Sequence, residues 1–254
     1  MLSNSAAVLA RLMMGTITRV ATEEAVAALT FDDGPHPDHT PRLLDILERY
    51  NARATFFMVG TNAQLYPEIV EQVALAGHAI GNHSWDHPSF PYIKGSERRA
   101  QIRACQNALF PHGQKLFRPP YGDQSLASRL DALMLGYRVV TWDVIANDWL
   151  DHDADWIVNS LKNKIQPGSV ILFHDTIYSA VDSRFEDREP MLQAVEILLQ
   201  QLHNDFRFST IPELLKNGKP DKQNWYKKSD IQFLNSLKVQ NGVSRQYVDK
   251  KHCR

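Results

Sequence analysis

Seven short apolar segments, at residues 25–31, 54–59, 78–82, 115–118, 137–142, 169–173 and 206–211, recur along the 254-residue chain with amphipathic stretches between them. A helix between successive strands carries the chain back across a sheet, so this alternation predicts a parallel α/β architecture. Strands covered on both faces read as continuous apolar runs, as residues 25–31 do. Seven strands in this rhythm point to an incomplete or distorted (β/α) barrel. The length suits one such domain, expected over residues 25–215, between an extension at 1–24 and a basic tail at 216–254.

Helix signals fall between the strands. Thr40 reads as an N-cap with Pro41 at the first helical position and Leu43, Leu44, Ile46 and Leu47 on one side. Helical spacing returns at residues 96–109, 124–135 and 190–202, and Gly77 and Gly136 suit left-handed caps.

Charge narrows the range of partners. The tail holds ten Lys/Arg against three Asp/Glu, a net of +7 in a chain of net −1, which leaves the body at −8. Such a body repels a polyanion, so nucleic acid is not expected as a partner, and the tail reads as a solvated or partly disordered extension. Cys105 and Cys253 are the only thiols and imply no disulfide framework. Residues 6–14 form a short apolar patch, but Arg11 interrupts it and no basic residue precedes it. It makes a poor signal peptide, and no segment is long enough to span a membrane, so the sequence reads as cytoplasmic. Nothing in the sequence sets an oligomeric state.

Polar clusters follow the strands. In a barrel the C-terminal strand ends share the face where active sites are built. Leu29-Thr30-Phe31-Asp32-Asp33-Gly34-Pro35 ends an apolar run in two carboxylates and a turn. His83-Ser84-Trp85-Asp86-His87 sets two imidazoles four residues apart, within reach of one cation. Two histidines and one carboxylate suit Zn²⁺ with a position left open, and Asp33 on the same rim supplies the carboxylate. Co²⁺, Ni²⁺ or Fe²⁺ fit the same ligands. Ser84 is expected to tie down the loop through its backbone. If one aspartate binds the metal, its neighbour stays free to take a proton from a water whose pKa a metal lowers to about 7.

Arg118 either pairs with that free carboxylate or caps a strand end at the surface. His174, at the exit of an apolar strand, reads as a general acid or as a structural histidine. Leu172 shares its strand face and suits the wall of a small acyl pocket. After Pro119-Pro120, the Tyr121 amide is placed to serve a developing oxyanion.

Together these clusters resemble the metal-dependent polysaccharide deacetylases, which include chitin, chitooligosaccharide and peptidoglycan N-acetylglucosamine deacetylases of the carbohydrate esterase type. The resemblance runs over residues 25–215. Thr30-Phe31-Asp32-Asp33-Gly34-Pro35 is similar to the family's first motif, and His83-Ser-x-x-His87 to its second. Arg118-Pro119-Pro120-Tyr121 is similar to the third, Asp148-Trp149 to part of the fourth, and Leu172-x-His174 to the fifth. The resemblance implies that Asp32 is the base, that Asp33, His83 and His87 bind the metal, and that His174 is the acid. It also implies a distorted barrel and an N-acetylated glycan substrate that loses acetate, in a family often found outside the cytoplasm. By analogy, the metal and the Tyr121 amide hold the oxyanion, and Trp149 belongs to the substrate site.

One position departs from the motif. The fourth motif often reads Asp-x-x-Asp-Trp, its first Asp supporting the catalytic histidine, and here that place is Ile145. Asp143, two residues earlier on the same strand face, is the expected substitute. Two rival readings stand beside the deacetylase: a metal-dependent amidase or deformylase acting on a small non-sugar amide, and a carbohydrate-binding homologue with impaired catalysis. Intact Asp32, Asp33, His83, His87 and His174 weigh against the second.

Overall fold

A computed structural model of the chain describes residues 14–239 and 245–247. Residues 6–13 of the apolar patch and Cys253 lie outside the described residues. All seven expected strands form: β2 (Val26–Asp32), β3 (Ala54–Met58), β4 (Ala79–Asn82), β5 (Gly113–Phe117), β6 (Arg138–Val139), β8 (Val170–His174) and β10 (Arg207–Phe208). They are joined by β7 (Val144–Ile145) in a parallel sheet of order β6-β5-β4-β3-β2-β8-β7. β10 pairs with the first residues of β2, before β3 joins it at Leu29.

Every residue of β2 is buried, as expected for the centre of a sheet covered on both faces. Phe31 packs between Phe56 and Phe173, with ring centroids 5.2 and 5.8 Å away. Each such buried side chain contributes about 1.5–3 kcal/mol of burial free energy. The outer layer contains α1 (His39–Arg49), α2 (Gly60–Leu65), α3 (Pro67–Leu75), α4 (Gly95–Ala108), α5 (Leu126–Met134), α6 (Ala154–Leu161) and α7 (Glu189–Leu202). Gly77 and Gly136 take left-handed φ values of 79° and 80°, each just beyond a helix end. The N-cap of α1 is Asp38 rather than Thr40. Thr40 instead accepts from the His36 amide and donates to Asp175, a buried partner that outcompetes a helix-end bond.

The sheet curls because its two edges belong to one stretch of chain. β6 and β7 lie at opposite ends of the sheet, yet only residues 140–143 separate them. Val140 still donates to Phe117 of β5, whereas Asp143 already donates to Val170 of β8. β1 (Thr16–Ala21) fills the seam: Thr141 donates to Ile17 and Val20 donates to Gly168. Gly168 is required there, because φ is +83° and a Cβ would lie 1.6 Å from the Val20 carbonyl oxygen.

β1 pairs on its other side with β11 (Lys219–Gln223), so segments expected to lie outside the catalytic domain complete its seam. The reason they escape a periodicity reading is physical. β11 is Lys-Pro-Asp-Lys-Gln, an edge strand of polar residues and one proline, exposed or half-buried, with no apolar alternation to mark it. Among the described residues no helix is long and apolar enough to cross a membrane.

Candidate active site

The C-terminal ends of β2, β4 and β8, with the loops after β5 and β7, surround a cleft of about 260 Å³. Asp32 is the last residue of β2, and Asp33 leaves the strand in a left-handed conformation, φ 77°. That reversal turns adjacent carboxylates to different partners. Asp33 Oδ2 accepts from the Tyr178 amide at 2.9 Å, while Oδ1 lies 3.4 Å from His83 Nε2 and 3.2 Å from His87 Nε2.

Gly34 follows under steric constraint. Its amide donates to Asp175, and a Cβ would fall 2.2 Å from that carboxylate. Asp175 is buried, and desolvation, reinforced by the Asp33 charge, pushes its carboxyl up to about 7. The folded form thus keeps a proton that the unfolded form has lost, so between about pH 4 and pH 7 this group lowers stability as pH rises. The expected slope in metal-free protein is about 1.4 kcal/mol per unit. Asp175→Asn should flatten it in urea unfolding at pH 4.5, 5.5 and 6.5.

The histidine loop is held from inside. Ser84 (φ 71°) accepts from the His87 amide at 3.1 Å, as expected, and its own amide donates to Asn82. His83 Nδ1 lies 2.7 Å from the Arg118 carbonyl oxygen. A carbonyl only accepts, so Nδ1 carries the proton and Nε2 keeps a free lone pair. Burial pulls His87 below its usual pKa, against the opposing pull of Asp33. For Asp33, burial alone would raise the carboxyl, but His87 and His83 hold it well below the usual range.

Asp33, His83 and His87 are all buried and offer ligand atoms within 4.8 Å of one another. Asp33 Oδ1 has no hydrogen-bond partner among the described residues although two ring nitrogens face it. A buried acceptor oxygen and two histidine nitrogens converging this way fit a divalent cation. The donor set is the one borderline metals such as Zn²⁺ accept.

Asp32 belongs to a different network. Arg118, fully buried, donates to Asp32 Oδ1 at 2.7 Å, to Thr30 Oγ1 at 2.8 Å and to the Thr141 carbonyl at 2.8 Å. Its guanidinium lies 4.1 Å from the Phe57 ring centroid. Of the two readings open for Arg118, the carboxylate partner is therefore the structural one. The other oxygen of Asp32 lies 3.7 Å from His83 Nε2, on the side of the three ligands.

Across the cleft, His174 is supported by Asp148. Its Nδ1 lies 3.0 Å from Asp148 Oδ1, and its amide donates to Oδ2 at 2.9 Å. Arg188, also buried, donates to Asp148 Oδ2 at 2.5 Å and to the Asp148 carbonyl at 2.9 Å. Burial alone would lower the His174 pKa, but the Asp148 charge and hydrogen bond outweigh it and the imidazole ends above its usual value.

This corrects the expectation for Asp143, which does not reach His174. Its carboxylate accepts from the Val170 amide at 2.7 Å and Ser169 Oγ at 3.0 Å. Those contacts lie four residues down β8, roughly 13 Å along a strand from His174. Asp148 arrives instead because the chain turns back after β7 through Asn147, at φ 55°. Its place in Asp148-Trp149 was visible in the sequence, but its partner was not. Nothing in the local sequence marked Arg188, which meets Asp148 only through the fold. Leu172, Ile145, Trp149 and Tyr121 line the cleft, as does Phe233 from the tail.

A triad that could hold a metal ion, a carboxylate paired with a buried arginine and a carboxylate-supported histidine share one barrel rim, the kind of constellation on which hydrolases are built. The polysaccharide deacetylase family model matches residues 19–140. The chain is 37% identical over 204 residues to a peptidoglycan-N-acetylglucosamine deacetylase of Bacillus cereus, covering 78% of this chain and 71% of that protein. It is 39% identical over 168 residues to a chitooligosaccharide deacetylase of Azorhizobium caulinodans, covering 64% and 80%. Among solved structures, the Bc1960 peptidoglycan N-acetylglucosamine deacetylase superposes with a TM-score of 0.75 at 33% identity, over 82% of this chain and 96% of that one. A family 4 carbohydrate esterase from Streptomyces lividans, in complex with acetate, superposes with a TM-score of 0.67 at 30% identity, over 79% and 100%. The chain belongs to the polysaccharide deacetylase family and is a hydrolase.

Proposed function

We propose that the protein removes acetyl groups from an N-acetylglucosamine-containing glycan, with a divalent metal, Zn²⁺ first, held by Asp33, His83 and His87. The observation that carries this reading is the division of labour between adjacent aspartates. Asp33 faces two histidine nitrogens, while Asp32 is tied to Arg118 by one oxygen and keeps the other toward the ligands.

When bound, the cation supplies Lewis-acid polarisation of the amide carbonyl and a water of lowered pKa. Asp32 takes the proton of the attacking water, and Arg118 keeps its carboxylate aimed. As the carbonyl oxygen gains charge, the Tyr121 amide donates to it. His174, its Nδ1 proton held by Asp148, gives a proton from Nε2 to the departing nitrogen, so acetate and a free amine leave. Leu172 and Trp149 wall the space beside these groups. The names of the Bacillus cereus and Azorhizobium caulinodans relatives support a glycan over a small amide.

The test is acetate release from N-acetylglucosamine oligomers, peptidoglycan fragments and small N-acetyl or N-formyl amides, with metal measured in the same sample. Activity on the glycans is expected to vanish on chelation and return with Zn²⁺ or Co²⁺. A protein inactive after metal addition, or active only on the small amides, overturns the reading.

A further inference from the structure

The tail carries information that the five motifs do not. Residues 225–229 hydrogen-bond to each residue of the turn 121–124. Lys227 Nζ donates to the Tyr121 carbonyl at 2.6 Å, and Trp225 Nε1 donates to the Gly122 carbonyl at 2.9 Å. The Ser229 amide and hydroxyl donate to the buried Asp123 carboxylate at 2.9–3.0 Å. Gln124 and Lys227 exchange both backbone bonds, at 2.9 and 3.2 Å.

The turn needs such support. Tyr121 is held at φ 60°, a left-handed conformation that a bulky side chain adopts only where its surroundings over-determine it. The tail reaches the far end of the same residue. The Tyr121 hydroxyl lies 3.1 Å from Ser179 Oγ, and Ser179 belongs to β9 (Ser179–Ala180), which pairs with β12 (Lys238–Val239). Further along, Tyr247 accepts from the Ser89 amide, and Ser89 Oγ donates to Asp123. Arg245 holds both oxygens of Asp86, between the two histidines of the ligand loop, at 2.9 Å. A solvated extension would show none of these contacts.

We propose that the C-terminal segment is a working part of the active site, and that Lys227, Trp225 and Ser229 are positioning residues that lock the Tyr121 turn. The proposal rests on the Tyr121 amide serving the oxyanion. Locking that turn before the reaction spares reorganisation when charge develops, so the gain appears in kcat rather than in ground-state binding. Lys227 lines the same cleft, as Ser229 does, but its ammonium is engaged by the carbonyl on the other side of Tyr121.

Lys227→Met removes the donor while keeping the stem. It is expected to lower kcat by about 10- to 100-fold, the scale of a misaligned transition-state contact, with KM and metal content unchanged. Lys227→Arg, which keeps a donor, should recover most of the loss. Lys228→Met removes the same charge one residue away, where the ammonium lies over the Tyr92 ring at 4.2 Å, and should turn over like the wild type. Hydrogen exchange of the peptide covering 119–124, read without substrate, should speed up in Lys227→Met and not in Lys228→Met.

Wild-type kcat in Lys227→Met, a KM rise with kcat intact, or equal losses in both Met variants each overturn the proposal. If the wild type releases no acetate while the turn loosens selectively in Lys227→Met, the deacetylase reading falls and the clamp is supported. An inactive wild type whose turn exchanges at one rate in all variants overturns both.

Discussion

Asp32→Asn is expected to lower kcat by about 10²- to 10⁴-fold, the range of a lost general base, while the purified protein keeps its wild-type metal content. The split follows from geometry. Asp33, His83 and His87 face one another, while Asp32 meets Arg118 through one oxygen and leaves the other for a proton. Stability should also fall. Arg118 is buried, and Asp32 is the carboxylate that pairs with it, so Asn leaves a guanidinium without a countercharge. Removing one partner of a buried pair costs about 3–5 kcal/mol, with Asn near the lower end because its amide oxygen still accepts. In a chain of this size about 3 kcal/mol is roughly 6–12 °C in Tm.

The double variant Asp32→Asn/Arg118→Met separates the two effects. Replacing both partners of a buried pair removes the stranded charge, so much of the lost Tm should return while activity stays low. Calorimetry, metal analysis and acetate release on the single and double variants give the comparison. Loss of metal from Asp32→Asn, or activity within a few-fold of wild type, defeats the assignment of Asp32 as base.

The parts of the site legible in sequence are those where one short segment carries both position and chemistry. Asp32 and Asp33 end an apolar run at a turn, and the His83–His87 spacing sets two imidazoles in one loop, so local pattern suffices to place these side chains together. The parts that were not legible depend on partners far apart in the chain. Period-2 reasoning put Asp143 on the face of its strand expected to serve His174, but the register that joins Ile145 to Leu172 places it beside Val170 instead. Asp148 reaches His174 through a left-handed Asn147, which no pattern of hydrophobicity encodes. The docking of residues 219–239 is hidden from composition for a related reason. Among the described residues of the tail polar hydrogen bonds act beside a small apolar cluster of Leu234, Leu237 and Tyr247, and composition cannot separate a largely polar segment docked on a barrel from a polar chain in water.

Asp148→Asn tests the other half of the site and should have an effect comparable to Asp32→Asn. The carboxylate accepts from both nitrogens that His174 presents to it, Nδ1 and the amide, and from Arg188. Its charge outweighs burial and raises the His174 pKa. An acid must be protonated to act, so activity falls as pH rises through that pKa, and a raised value extends activity upward. Asn cannot hold the imidazolium in the same way, so the alkaline limb of kcat/KM should move to lower pH, with a loss at the optimum of about 10²- to 10⁴-fold. His174 also contributes stability that is present below its unfolded pKa and is lost as pH rises through the folded one, and Asp148→Asn should erase that dependence. Asp143→Asn provides the contrast. Its carboxylate serves the start of β8, so that variant should keep wild-type turnover and lose about 1 kcal/mol of stability for a weakened hydrogen bond. If Asp143→Asn moved the alkaline limb and Asp148→Asn left it in place, the support of His174 would have to come from the deeper carboxylate after all.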